Sequence, residues 1–301
     1  MRSFSFTQTS VFTDARYLFS GNQLATFWDL AENALTAEEM QGIALEMNFS
    51  ETTFIYLPTH AECVRKVRIF TPGEEVPFAG HPTLGTAFVL KHHGIIDADA
   101  AEAVLELNIG PIAVNFRSQN EVEMVQPKPQ LLEEYPHRQV MANILGLSVD
   151  LIDDTWPIQF VSTGLPFLIV PITALDALKA IQVDAKLLEE ELATLPSQNI
   201  VAFCRETVHP GSHAHVRMFA PFVGVAEDPA TGSAAGPLGA YLETHLCLPD
   251  HPRGTDFILE QGYEIRRPSR LIAQCCYKQD EISEVKVSGQ VKLTAQGEFF
   301  L

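Results

Sequence analysis

The chain is short of positive charge. Of its 301 residues, 20 are lysine or arginine and 38 are aspartate or glutamate, a formal net charge of −18 at pH 7. A nucleic acid or an anionic membrane must be met by clustered cations, so the expectation is no nucleic-acid and no membrane partner. A small anion stays open, because exposed charges are screened beyond about 8 Å at physiological salt and backbone donors in a pocket act at shorter range. Cysteine is scarce too. Cys63, Cys204, Cys247, Cys275 and Cys276 make an odd number with no CxxC spacing, which argues against a disulfide framework or zinc site and for reduced thiols. No apolar run approaches the roughly 20 residues of a membrane span. The opening MRSFSFTQTSVFTDAR lacks a signal-peptide core and an arginine-rich presequence, so a cytoplasmic location is expected. A nucleotide loop is also missing: GSAAGPLG has the glycines, but no Gly-Lys-Ser/Thr follows and no strand-GxGxxG-helix unit exists.

What is present is an ordinary globular composition, 46% hydrophobic and 19% charged, and one long internal echo. Residues 68 to 87 read RIFTPGEEVPFAGHPTLGTA and residues 217 to 234 read RMFAPFVGVAEDPATGSA. Arg68, Phe70, Pro72 and Val76 then face Arg217, Phe219, Pro221 and Val225, and after a gap Gly80-His81-Pro82 faces Glu227-Asp228-Pro229. The offset of 147 to 149 is about half the chain, so the expectation is two similar domains in tandem. The Pro127, Pro129 and Pro136 stretch marks their connection, placing the domains at 1–125 and 126–301, with the last strands allowed to return to the first.

The echo extends to local structure. Thr36 with Glu39 reads as a capping box, with Met40, Ile43, Ala44 and Met47 at helical spacing and Asn48 as a stop. A β-rich run, Thr52 to Tyr56, follows. In the second half Asp184 caps a helix carrying Leu187, Leu188, Leu192 and Leu195, and the strand NIVAF follows. At the 147 offset, Gln198 faces Glu51, so only the first half offers a carboxylate at that corner. Late segments such as VLELNIG, EVKVSG and QVKLTA alternate as half-buried antiparallel sheet does.

The HP and DP pairs each precede a helical segment, and proline favours the first helical position, which makes His81 and Asp228 the expected N-caps. The first helix has no polar face and should be buried. The second is rich in small residues, and Pro237 should kink or stop it. An aspartate cap needs no function to explain it. Histidine is a poor cap, so two such helix starts bearing ionisable groups point to one shared cleft, whose N–H groups near Gly80, Gly232 and Ser233 would hold a carboxylate or an enolate-like oxygen. Glu51 alone would read as a solvated surface residue. Between Phe49 and Phe54, it is a candidate for proton transfer through desolvation. His209, His213 and His215 offer a weaker metal reading against a plain polar loop before Arg217. His92 and His93 suit a helix C-terminus, and Cys275 and Cys276 suit a core.

GNQLATF at 21 to 27, SETTF at 50 to 54, RIFTPGEEVPFAGHPTLGTA, EDPATGSAAGPLGAYL at 227 to 242 and QGYEIRRPS at 261 to 269 together resemble the PhzF-like family of phenazine biosynthesis. The resemblance implies an α+β fold of the diaminopimelate epimerase-like kind, two pseudo-symmetric domains each wrapping a mostly antiparallel β-barrel around a central α-helix. It implies a homodimeric, cofactor-independent isomerase without a metal, moving a proton between carbons of a small, cyclic, carboxylate-bearing substrate. Glu51 would be the acid/base, His81 and Asp228 would orient or polarise the substrate, and Ser50, Gly80, Gly232 and Ser233 would face it. Related epimerases and proline racemases carry a cysteine pair at the two helix starts; this chain has none there, so two-thiol racemisation is not expected. Gln23 stands where the family often has proline, and Arg266 where it often has glycine, a change expected at the rim of the cleft. Two rival readings are a small-molecule binding protein that retains the cleft without catalysis, and a racemase or epimerase using Glu51 and Asp228 on opposite faces.

Overall fold

A computed structural model describes residues 1–31 and 34–301. The chain divides into two compact units, the first made of Met1–Val125 with Ser288–Leu301 and the second of Gln126–Val287.

In the first unit β1 (Ser3–Thr13) and β2 (Asn22–Phe27) precede α1 (Ala37–Met47), then β3 (Glu51–Tyr56), β4 (Arg65–Phe70) and β5 (Glu75–Val76). The helix α2 (Gly80–His92) follows, then β6 (Glu102–Leu107), β7 (Gly110–Phe116) and β8 (Glu121–Gln126). In the second unit β9 (Gln130–Glu134), α3 (Arg138–Leu145), β10 (Gln159–Ser162) and β11 (Pro166–Pro171) lead to α4 (Leu175–Ala180) and α5 (Ala185–Leu192). After them come β12 (Ile200–Cys204), β13 (Ala214–Ala220), β14 (Val225–Asp228), α6 (Gly232–Thr244), β15 (Asp256–Gln261), β16 (Ser269–Lys278) and β17 (Glu281–Phe300). The architecture is α+β, as the motifs imply.

Local chemistry accounts for the element ends. Thr36 and Glu39 form the reciprocal capping box of α1, and Asn48 ends it in the left-handed region. Asp184 accepts the Leu187 N–H at the start of α5. EVKVSG and QVKLTA are not two strands but parts of the one continuous strand β17. Gln279 and Asp280, both at positive φ, turn β16 tightly into β17.

In the first unit the strands wrap around α2. β1 pairs antiparallel with β2, β2 parallel with β3, β3 antiparallel with β4, and β4 parallel with β6, which continues antiparallel into β7 and β8. The end of β17 runs along β1 from Phe300 opposite Ser3 to Gln290 opposite Thr13, while Ser288 and Gln290 bond Glu121 at the start of β8. The helix inside is buried at every residue from Gly80 to Leu90, as expected of a segment with no polar face. A chain of buried hydroxyls, Thr86 to Thr53 (3.0 Å) and Thr53 to Thr26 (2.9 Å), ties α2 to β3 and β2. Gly85 permits the close packing: a Cβ there would meet Leu24 at 2.6 Å and Val11 at 2.8 Å.

The second unit repeats the pairing, with β11 parallel to β12, β12 antiparallel to β13, β13 parallel to β15, and β15 antiparallel to β16. Its helix α6 packs on β16, β10 and β11. Pro237 neither stops this helix nor shortens it; α6 runs on to Thr244. The missing proline N–H costs one hydrogen bond near the start, and the buried Leu238, Tyr241 and Leu242 beyond it hold the remaining turns in place.

A bracket occurs once in each unit. Glu106 on β6 accepts the backbone N–H groups of Thr59 (2.5 Å) and His60 (3.0 Å), with Lys66 of the adjacent strand at 3.5 Å. Glu260 on β15 accepts those of Val208 (2.8 Å) and His209 (2.9 Å), with His215 of the adjacent strand at 3.0 Å. His215 is therefore no part of a polar loop: it is wholly buried in β13.

Candidate active site

The first unit places Glu51 and His81 together. Glu51 opens β3 opposite Leu24 of β2, and its side chain is 17% exposed. His81, 4% exposed, sits in the first turn of α2, its Nδ1 3.4 Å from Glu51 Oε2. The same Nδ1 is 3.3 Å from the side-chain nitrogen of Asn22, and Nε2 is 3.2 Å from the backbone oxygen of Gln23. Burial pushes the His81 pKa down to about 3, against a smaller upward pull from the Gln23 carbonyl. The imidazole is neutral at physiological pH. Ser50, half-buried, directly precedes Glu51.

His81 is not the N-cap of its helix. Ala79 holds that place in extended backbone, with Gly80 and His81 inside the first turn and Pro82 third. Proline is tolerated there because the first-turn N–H groups have no partner within the helix. No side chain caps this helix start, so the N–H groups of Gly80 and His81 present a positive dipole end.

Asp228 is not a cap either. It ends β14, and Thr231 is the N-cap of α6, so Asp228 stands in the turn before the helix. Its Oδ2 accepts the Thr231 hydroxyl at 2.5 Å. Gln261 clamps the turn from β15: its Nε2 donates to Asp228 O (2.8 Å) and Thr231 Oγ1 (3.0 Å), and its Oε1 accepts the Thr231 N–H (3.2 Å). Gly232 is buried and Ser233 half-buried in the first turn of α6, where no side-chain cap covers the N–H groups. Gln126 donates to Gly232 O (2.8 Å) and accepts from Thr163 (2.5 Å).

These positions overturn the pairing of His81 with Asp228. Arg68 bonds Glu75 through Nε and one terminal nitrogen, and Arg217 bonds Glu227 in the same way. Both helices begin five residues after that glutamate and span 13 residues. The true register is therefore Glu75-Val76-Pro77 against Glu227-Asp228-Pro229, an offset of 152, with His81 opposite Ser233 and Asp228 opposite Val76. Three extra residues between Arg217 and Glu227, where a 3-10 turn Pro221–Val223 forms, shift the register. An alignment that sets HP against DP places its gap in the second copy, where the insertion lies, and so misses this shift. Likewise Arg68 faces Phe54 and Arg217 faces Ala202, which puts Asn199 rather than Gln198 in the place of Glu51. The carboxylate remains particular to the first unit.

Asn22, Gln23, Gln126 and Gln261 were not among the candidates. Uncharged amides and backbone carbonyls leave no ionisable signature; GNQLATF and QGYEIRRPS held the only cue to Asn22, Gln23 and Gln261, and Gln126 lies in neither. Because the Gln23 contact is made by the backbone, its side chain is free to differ. Arg266 is exposed at φ 61, a left-handed conformation that glycine adopts without strain.

Comparison with known proteins matches the chain to a family. Residues 9–297 match the phenazine biosynthesis-like protein family. A trans-2,3-dihydro-3-hydroxyanthranilate isomerase of Pseudomonas aeruginosa is 35% identical over 281 residues, covering 93% of this chain and 94% of that protein. A protein of the same name from Pseudomonas fluorescens is 36% identical over 273 residues, covering 89% of this chain and 90% of its own. The crystal structure of a Bacillus anthracis phenazine biosynthesis protein of the PhzF family superposes with a TM-score of 0.90 at 28% identity over the whole of both chains. A structure described as a probable proline racemase from Agrobacterium radiobacter, at 10% identity and TM-score 0.63, covering 99% of this chain and 93% of that one, shares the fold alone. The chain belongs to the phenazine biosynthesis-like family and is an isomerase of the PhzF type.

Proposed function

We propose that the protein moves a proton between carbons of a small, cyclic, carboxylate-bearing substrate without a cofactor, with trans-2,3-dihydro-3-hydroxyanthranilate, the compound named for its relatives, as the first candidate. Glu51 removes a proton from one carbon as carboxylate and returns it to another as carboxylic acid, so no atom is gained or lost. His81 and Asp228 orient or polarise the substrate. The N–H groups of Gly80 and His81, and of Gly232 and Ser233, supply donors for its carboxylate, beside Ser50. The working form is a homodimer in the cytoplasm. The observation that carries the reading is Glu51 Oε2 at 3.4 Å from a buried Nδ1 of His81: a carboxyl group partly withdrawn from water beside a neutral imidazole suits general acid and base work. No cysteine stands at either helix start, so a two-thiol exchange has no groups to run on.

The test is incubation of the protein with this compound in deuterated water. Isomerised product with deuterium on carbon supports the reading; the substrate unchanged, while a related isomerase converts it under the same conditions, removes this compound as substrate.

A further inference from the structure

We propose that Asn22 is a positioning residue that, from the Nδ1 side and together with the Gln23 carbonyl on the Nε2 side, fixes His81 as the neutral, Nε2-protonated tautomer and so keeps a lone pair on the Nδ1 that faces Glu51. The inference rests on the proposed function only for the role of Glu51. A carbonyl oxygen accepts and never donates, so the contact of His81 Nε2 with Gln23 O at 3.2 Å requires the ring proton on Nε2. A second proton, on Nδ1, would make an imidazolium in a site where the ring is 4% exposed, at a large desolvation cost. Nδ1 is then an acceptor, and the Asn22 group facing it at 3.3 Å is the amide NH2.

Asn22 is built to hold that place. It is 1% exposed and begins β2, opposite Val11 of β1. Two residues later Leu24 pairs with Glu51, so one strand sets the register of both groups. The turn before it is tight: Gly21 has φ +77, and a Cβ there would meet Val11 O at 2.5 Å.

The consequence is chemical. With its lone pair toward Glu51, His81 cannot donate from Nδ1. A proton taken up by Glu51 Oε2 then meets no rival proton on Nδ1, 3.4 Å away, and can share its single lone pair only in competition with the Asn22 amide. His81 orients the proton carrier and does not act as an acid through Nδ1.

Imidazole 1H–15N correlation spectra of the 15N-labelled protein, with His81 assigned by the signals lost in His81→Gln, decide the matter without substrate. The expected result is a protonated Nε2 and a bare Nδ1, unchanged from about pH 8 to about pH 5, since burial sets the midpoint near 3. Asn22→Asp sets an acceptor against Nδ1 and should raise that midpoint by about two units or more, into the measured range. Asn22→Ala leaves the Gln23 carbonyl to hold the Nε2 proton and should shift the Nδ1 resonance, which loses its donor. A wild-type ring protonated on Nδ1 overturns the proposal even if neither variant folds, as do unchanged ring shifts in both variants. A bare Nδ1 without deuterium transfer would sink the proposed reaction on this substrate alone; deuterium transfer with a protonated Nδ1 would sink this proposal alone.

Discussion

Glu51 stood out as a candidate before any fold was known, through a broken symmetry in which one half carries a carboxylate at the corner and the other does not, and the fold sets it 3.4 Å from His81. The pairing of His81 with Asp228 was not legible correctly, because the three-residue insertion before Glu227 is visible only once the Arg68–Glu75 and Arg217–Glu227 pairs are both seen. Both residues nonetheless stand at or just before a helix start that no side chain caps. Around Asp228 the work falls to Gln261, which makes three hydrogen bonds to the turn. Gln261→Ala should destabilise the protein by about 1–3 kcal/mol, since the Asp228 carbonyl and the Thr231 groups lose a buried partner. Denaturant midpoints check this, and a change below the error of the measurement would remove Gln261 as a clamp.

At the level of elements, capping boxes and alternating strands were readable because they depend on neighbours in sequence. The glutamate brackets were not, because Glu106 and Glu260 reach loops 46 to 52 residues away. In the first bracket the cation is Lys66, 3.5 Å from Glu106; in the second it is His215, between Glu260 at 3.0 Å and Glu264 at 3.1 Å. Burial alone would lower the His215 pKa, but its bonds to the two glutamates outweigh this and raise it above 6.5. Burial works to raise Glu260 and Glu264, and the bonds from His215 and from backbone N–H groups leave both below 4.5. The His215 contribution is therefore complete below about pH 6.5 and is lost as pH rises through its raised value, while that of the carboxylates is lost as pH falls through their lowered values. Urea midpoints between about pH 6 and 9 should fall in the wild type, and His215→Gln should flatten that slope while costing about 3–5 kcal/mol at pH 6, because two inward carboxylates lose their cation. A slope unchanged in the variant would contradict the bracket. Packing within α6 makes a second demand. A Cβ at Gly236 would lie 1.9 Å from Gln126 Oε1, so Gly236→Ala must expel the amide that bonds Gly232, at about 1–3 kcal/mol. A thermal midpoint equal to wild type would refute this.

For the molecule as a whole, the two-fold repeat was readable from the echo, and the return of the last strand was only allowed for. That residues 288–301 belong to the first unit follows from the long register of β17 with β1, a pairing set by contacts nearly 300 residues apart and invisible to any local pattern. The net charge of −18 acts at this scale as well. Self-repulsion lowers the stability of the compact state, and salt screens it. Raising salt from low levels to about 0.5 M should increase the melting temperature by several degrees, each kcal/mol counting for about 2–4 °C; a fall in melting temperature would show that the specific ion pairs dominate. The central claim is that Glu51 carries the proton. It is tested most directly by comparing wild type with Glu51→Gln in deuterated water, following carbon-bound deuterium in the isomerised product. The account predicts incorporation by the wild type and a loss of at least about 10² to 10⁴ in rate for a folded Glu51→Gln; isomerisation at the wild-type rate in that variant would contradict it.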